Sequence, residues 1–133
     1  MSRVLHLLPY LETGGTERAV LTLVQALPSP WESRVLAPHG SGEKLFSPQI
    51  VDYLEGSLTR SLNRAIERWQ PDLLHLHAAT HFFFVAKKTG LPIVFTGHGY
   101  PTALDYWLAS TLSNRWAEKV INVSCAEEEK HLA

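Results

Sequence analysis

With 133 residues, the chain is long enough for one domain with a substantial core and too short for two. The apolar fraction is 45% and the charged fraction 19%, which excludes an intrinsically disordered chain. The formal charge is −1 and neither sign forms a long run, so nucleic acid is not an expected partner.

The number of cysteines and the hydrophobicity of the first residues indicate the cellular compartment of the protein. Cys125 is the single cysteine, so no internal disulfide can form, which suits a reducing compartment. The short apolar run at the start is broken by His6 and stopped by Pro9, unlike a signal peptide or a membrane span. We therefore expect a cytoplasmic protein.

Short apolar runs alternate with helical patterns along the chain. Strands are predicted at residues 3–8, 34–37, 49–54, 72–77, 92–96 and 119–123. Helices are predicted at 16–27, 57–69, 82–88 and 102–116, and another begins at 126. The order predicts an α/β domain over residues 1–133: a doubly wound, Rossmann-like parallel sheet of about six strands with helices on both faces.

In such a sheet, ligands bind beyond the carboxyl ends of the strands, where the strand order reverses. The loops that begin at Pro9, His77, Gly97 and Ser124 are therefore the places to look for a site. These loops also hold most of the unusual residues of the chain.

Gly14 and Gly15 lie between the first strand and the first helix, where the unpaired N–H groups of a helix N-terminus suit a phosphate. A simple chain turn is the alternative. A dinucleotide site is not expected, because the Gly-x-Gly-x-x-Gly pattern and an acidic residue after the second strand are both missing.

Glu17 falls in the first helical turn, where it complements the helix dipole.

Histidines cluster around the fourth strand. His75 and His77 alternate along it and so share one face, and His81 could reach the same end from the next helix. Three imidazoles suggest zinc, but no fourth ligand is evident, so we expect no metal. We interpret His75 as a core histidine that is hydrogen-bonded to a neighbouring carbonyl. His77, at the tip of the strand, could equally face the cleft.

His98 stands between Gly97 and Gly99, just past the fifth strand. This setting lifts an imidazole out of the core, and a pKa near 6.5 allows it to donate a hydrogen bond at neutral pH. His98 is the best single candidate for a catalytic residue, and a polar cap on the next helix is its alternative role.

Four segments together resemble the N-terminal domain of glycosyltransferase family 4, a family of retaining GT-B enzymes that use nucleotide-sugar donors. The four segments are GGTE at 14–17, PDLLHLH at 71–77, VFTGHG at 94–99 and VINVS at 120–124. They occur in the order of the family and at the strand ends that the family uses. They span nearly the whole chain.

The resemblance implies a function. Gly15 would lie near the donor diphosphate, His98 would contact the transferred sugar or its phosphate, and the loop after the first strand would help form the acceptor cleft. Gly14, Thr16, His77, Gly97 and Gly99 complete the predicted cleft. In the family, a second domain with a paired-glutamate motif holds the donor nucleotide, and the chain stops where the link to that domain would be approached.

The resemblance also implies partners. The protein would transfer a hexose from a nucleotide-sugar, as a substrate and without a separate cofactor, to a hydroxyl of a glycan, lipid or small molecule in carbohydrate biosynthesis. Family members often bind to the inner face of a membrane, and the aromatic run at residues 81–85 could serve such a contact, although a run of this kind more often belongs to the core.

The sequence departs from the family at residues 38–48, where the helix that the family usually has is not evident.

Two other functions remain open. The chain could be a non-catalytic acceptor-binding or scaffold subunit that docks on a separate donor-binding chain, or a nucleotide-binding regulator. A regulator would need a tight phosphate loop and an acidic ribose contact, which the sequence lacks. The sequence also offers no well-placed carboxylate nucleophile, so a double displacement is not supported, and the fold alone cannot separate these functions.

Overall fold

The computed structural model of the chain describes residues 2–11, 15–77, 82–97 and 119–122. The strands are β1 (Ser2–Leu7), β2 (Trp31–Ala37), β3 (Val51–Tyr53), β4 (Leu73–His77), β5 (Ile93–Gly97) and β6 (Lys119–Asn122). The helices are α1 (Gly15–Ala26), α2 (Leu58–Trp69) and α3 (Phe82–Lys87), with a short 3₁₀ helix at Ser41–Leu45. The helices predicted at 102–116 and from 126 lie outside the described residues.

The six strands form one parallel sheet in the order β3-β2-β1-β4-β5-β6. The chain moves from β1 outward to β3, and α2 then carries it back across the sheet to β4, on the other side of β1. The strand order therefore reverses between β1 and β4. This is the doubly wound architecture that the alternation of strands and helices predicts.

One face of the sheet packs against α2 and α3. Alternate residues of the strands, such as Leu5 and Leu74, form a core cluster with Leu62 of α2 and Phe82 and Phe83 of α3. The aromatic run is therefore mostly core, as expected, although Phe84 is 53% exposed. Since burial of a large apolar side chain contributes about 1.5–3 kcal/mol, this cluster is a main source of stability.

The opposite face packs against α1. Val20 of α1 contacts a second cluster that includes Leu8, Val35 and Ala37 on the sheet and Phe46 after the 3₁₀ helix. Helices thus cover both faces, as predicted. The stretch 38–48, where a full helix was not evident, contains the 3₁₀ helix of five residues.

Local signals explain the bounds of α2. The Ser57 side chain accepts a hydrogen bond from the backbone N–H of Arg60 at 3.1 Å, which is an N-cap. At the other end Gln70 adopts the left-handed conformation (φ 54°), and its N–H donates to Ile66 O at 2.7 Å. Pro71 follows and cannot continue the helix.

Within the described residues, no helix is both long enough and apolar enough to span a membrane.

Candidate functional site

The candidate site lies at the carboxyl edge of the sheet, beside the point where the strand order reverses. The strands β1, β4, β5 and β6 end there at Leu7, His77, Gly97 and Asn122. The strand β1 leads to a helix on one face and β4 to a helix on the other. In doubly wound sheets this arrangement creates a crevice at the carboxyl edge, which is where ligands bind.

The N-terminus of α1 borders this crevice. Gly15 is the first helical residue and is exposed, and a Cβ added to it would meet no atom within 4 Å. Thr16 is half-buried beside it. The first N–H groups of a helix have no partner within the helix, and the helix dipole makes this end positive. An anionic oxygen can therefore approach the backbone closely here.

Glu17 in the first turn of α1 is 5% exposed. The sequence predicts a charge that complements the helix dipole, and Glu17 does occupy the first turn. Its burial was not foreseen, because sequence patterns place a glutamate next to a glycine pair at the surface.

A depression of about 410 Å³ opens between the loop after β1 and the loop after β2. Tyr10, which is 64% exposed, and His39 are among its lining residues. His39 Nδ1 is 2.6 Å from a carboxylate oxygen of Glu43, and the imidazole stacks on Tyr53 with ring centroids 3.9 Å apart. Neither Tyr10 nor His39 was predicted as a site residue from the sequence, although each directly follows a proline just past a strand end.

Beneath the strand ends, three imidazoles lie side by side on the α1 face of the sheet. His6 of β1 is the register partner of His75 in β4, and His77 follows on the same side of β4. His6 Nδ1 and His77 Nε2 are 3.0 Å apart, and His75 Nε2 lies 2.6 Å from the hydroxyl oxygen of Thr96 in β5. We name these three residues the histidine cluster.

The histidine cluster is buried. His6, His75 and His77 are 1%, 7% and 0% exposed. Burial, with a smaller contribution from the nearby His75, lowers the pKa of His6 from 6.5 to about 3. His6 is therefore a neutral imidazole at neutral pH, with one N–H and one lone pair.

The structure buries both sequence-predicted histidines of β4. His75 is a core histidine as expected, and its Nε2 lies 2.6 Å from the Thr96 hydroxyl oxygen, while the predicted bond to a carbonyl stays a prediction. His77 was predicted in the cleft, and the structure buries it completely beneath the strand ends. One of its contacts is with His6, which in the sequence was interpreted only as a break in an apolar run.

Other predicted site residues are described in part or not at all. Gly97 is the last residue of β5 and pairs in register with Asn122 of β6. Gly14, His98, Gly99 and His81 lie outside the described residues.

Two solved structures resemble the chain. The Anabaena protein Alr3699/HepE, solved in complex with UDP and glucose, has a TM-score of 0.76 and 19% sequence identity over 99% of this chain. Acinetobacter baumannii MurG has a TM-score of 0.67 and 16% identity over 92% of this chain. At this identity the likeness shows the fold alone, and it confirms the prediction of a Rossmann-like domain.

The chain spans about two-fifths of each of these relatives, since it covers 41% of either solved chain. A search of curated proteins finds no match. The model of glycosyltransferase family 4, in contrast, matches residues 13–132, which is nearly the whole chain. The chain therefore belongs to glycosyltransferase family 4.

Proposed function

We propose that the chain is the N-terminal, acceptor-side domain of a GT-B glycosyltransferase. The complete enzyme would transfer a hexose from a nucleotide-sugar to a hydroxyl acceptor with retention of configuration. The observation that carries the proposal is the family match over residues 13–132, on a sheet whose crevice lies beside an open helix N-terminus.

The open N-terminus of α1 supports a role in holding the donor diphosphate. In a sugar transfer the diphosphate leaves with negative charge, and preorganised N–H groups aimed at that charge lower the barrier. Gly15 leaves its backbone accessible, since no atom occupies the space where a side chain would stand. Gly14 and Thr16 would complete this cradle.

The depression between the loops after β1 and β2 supports the acceptor side of the proposal. It is open to solvent at the same edge of the sheet, and its lining includes the exposed aromatic ring of Tyr10 and the imidazole of His39. Aromatic faces and hydrogen-bonding side chains are suited to an acceptor that carries hydroxyl groups. The assay described below identifies whether the acceptor is a glycan, a lipid or a small molecule.

A second domain would hold the donor nucleotide. The solved relatives are more than twice as long as this chain, which supports a two-domain enzyme. His98 would reach the transferred sugar or its phosphate from the loop after β5, with Gly97 and Gly99 giving that loop room. Buried His77 would support the strand ends from below.

The test is a donor assay on the complete protein. Because a relative was solved with UDP and glucose, UDP-sugars are the first donors to try, followed by GDP-sugars. We expect release of the nucleoside diphosphate only with an acceptor present, and an α-linked product from an α-linked donor by NMR. An inverted product would refute retention. No release with any donor, together with tight docking on a separate donor-binding chain, would establish the scaffold function instead.

His98→Ala is the sharpest variant for this assay. If His98 acts on the transferred sugar, kcat should fall about a hundredfold or more, in the range known for catalytic proton donors and acceptors. The thermal unfolding curve should not move. Full activity of the variant would remove His98 from the site.

The isolated chain should bind the donor weakly. Titration of residues 1–133 with UDP- and GDP-sugars by calorimetry should give dissociation constants of about 1 mM or weaker, equivalent to about −4 kcal/mol. The complete protein is the control and should bind more tightly. Micromolar affinity of the isolated chain would contradict the division of the site between two domains.

A further inference from the structure

The histidine cluster brings three buried imidazoles within reach of one ion. One ring nitrogen from each of His6, His75 and His77 lies within 4.8 Å of the other two. The parallel register of β1 and β4 holds them there, because His6 and His75 are directly paired. The ligands thus come from two strands that are adjacent in the sheet.

One ring nitrogen of His6 has no hydrogen-bond partner among the described residues. A neutral imidazole has one N–H and one lone pair, and His6 uses Nδ1 toward His77. His6 Nε2 is buried and has no hydrogen-bond partner in the described part of the chain. Whichever nitrogen carries the proton, a buried polar atom is left unsatisfied, and this is unfavourable. A metal ion can bind the Nδ1 lone pair of His6, and the N–H then lies on Nε2.

The distances suit a small transition-metal ion. Two nitrogens bound to tetrahedral zinc at 2.0–2.1 Å stand about 3.3 Å apart. His6 Nδ1 and His77 Nε2 are already 3.0 Å apart, and the widest separation among the ligand atoms is under 4.8 Å. Small side-chain rotations would therefore bring three nitrogens onto one ion.

Thr96 supplies the outer contact that a ligating histidine usually has. Metal-bound imidazoles donate their second N–H to a neighbouring oxygen, which fixes the tautomer. If His75 Nε2 donates to the Thr96 hydroxyl at 2.6 Å, Nδ1 of the same ring keeps its lone pair. The pair His75–Thr96 is thus arranged to present Nδ1 as a ligand.

We propose that His6, His75 and His77 bind one divalent transition-metal ion, with Zn²⁺ as the best-suited ion. Imidazole ligands favour zinc, copper or nickel, whereas magnesium and calcium require oxygen ligands. The ion would join β1 to β4 below the crevice and stabilise the point where the strand order reverses. Its role is structural, because all three ligands are buried.

The first experiment is a metal-binding measurement on the purified protein. The protein is prepared with a tag that contains no histidine, stripped with EDTA, and reloaded with Zn²⁺ or Co²⁺. We expect one ion per chain by elemental analysis, the visible absorption of tetrahedral Co²⁺, and a higher melting temperature with Zn²⁺ than with EDTA. Failure of wild-type protein to bind a stoichiometric ion would overturn the proposal.

Variants assign the site. His6→Asn and His77→Asn should each lower the zinc affinity by more than about tenfold, since mutation of an outer partner of a ligand already costs about 10–100-fold. His39→Ala is the matched control, since His39 is exposed and lies on another loop, and it should retain the ion. Retention of the ion by both cluster variants would overturn the proposal.

X-ray absorption on zinc-loaded wild-type protein keeps the test decisive if the cluster variants do not fold. Three imidazole ligands per ion would support the histidine cluster if they persist in a variant in which His39, His81, His98 and His131 are replaced by alanine. A spectrum with fewer imidazoles would place the ion elsewhere and refute the site. None of these measurements depends on enzymatic activity, so the proposed function can fail without affecting them.

Discussion

The backbone N–H of Gly42 donates a hydrogen bond to the carbonyl oxygen of Leu11 at 2.7 Å. This bond joins the loop after β2 to the loop after β1, and both loops line the depression in the candidate site. Gly40 lies against the same carbonyl, and a Cβ added to Gly40 would overlap its oxygen. The absence of a side chain at Gly40 therefore allows the two loops to meet.

Gly40→Ala should destabilise the protein by about 2 kcal/mol, because the added methyl group must displace backbone and not a flexible side chain. Urea unfolding followed by circular dichroism measures the change. Gly15→Ala is the matched control, since its Cβ would meet no atom within 4 Å, and it should unfold at nearly the wild-type urea concentration. Equal stability of the two variants would contradict the close contact at Gly40.

Phe83→Ala should cost about 3–5 kcal/mol, the usual loss for a large side chain removed from a packed core. Phe83 is fully buried, and its ring centroid lies 5.1 Å from that of Phe95 on β5. Phe84→Ala is the control in the adjacent position, where the side chain is 53% exposed, and its effect should stay near 0.5 kcal/mol. A similar loss for both variants would contradict the packing of α3 on the sheet.

Much of the fold could be predicted from the sequence, because local patterns determine it. Alternating apolar runs placed all six strands, and helical spacing with a stop at Pro71 placed α2 almost to the residue. The predicted start of β2, residue 34, was three residues too late, since the strand begins at Trp31. Glu32 and Ser33 are polar, so this part of the strand carries no periodic apolar signal.

The site was harder to predict, because it depends on contacts between distant residues. The carboxyl edge of the sheet follows from the strand order, so the strand ends that lead into the predicted site loops could be placed from the sequence. The pairing of His6 with His77 joins positions 71 residues apart and requires the register of β1 on β4. The close approach of Gly40 to Leu11 likewise has no signature in either loop alone.

Gln70→Gly should stabilise the protein by about 0.5–1 kcal/mol. Gln70 ends α2 with a positive φ of 54°, a conformation that costs an L-residue with a Cβ and that glycine adopts freely. Gln70→Ala is the control and should give no such gain, because alanine keeps the Cβ. Thermal and urea unfolding measure both variants, and a glycine variant less stable than wild type would contradict the cap.

Gly15→Ala in the complete protein should weaken donor binding without unfolding the domain. Its backbone is free of the left-handed conformation and its surroundings are open, so alanine fits the folded chain and also favours the helix.

The same methyl group would stand where a donor phosphate must approach the first N–H groups of α1. We expect the donor KM to rise about tenfold, which corresponds to about 1.4 kcal/mol of lost interaction. Steady-state kinetics with the active donor measures it, and Thr22→Ala, on the exposed third turn of the same helix, is the control that should leave KM unchanged. An unchanged KM in Gly15→Ala would show that the diphosphate does not contact this helix end.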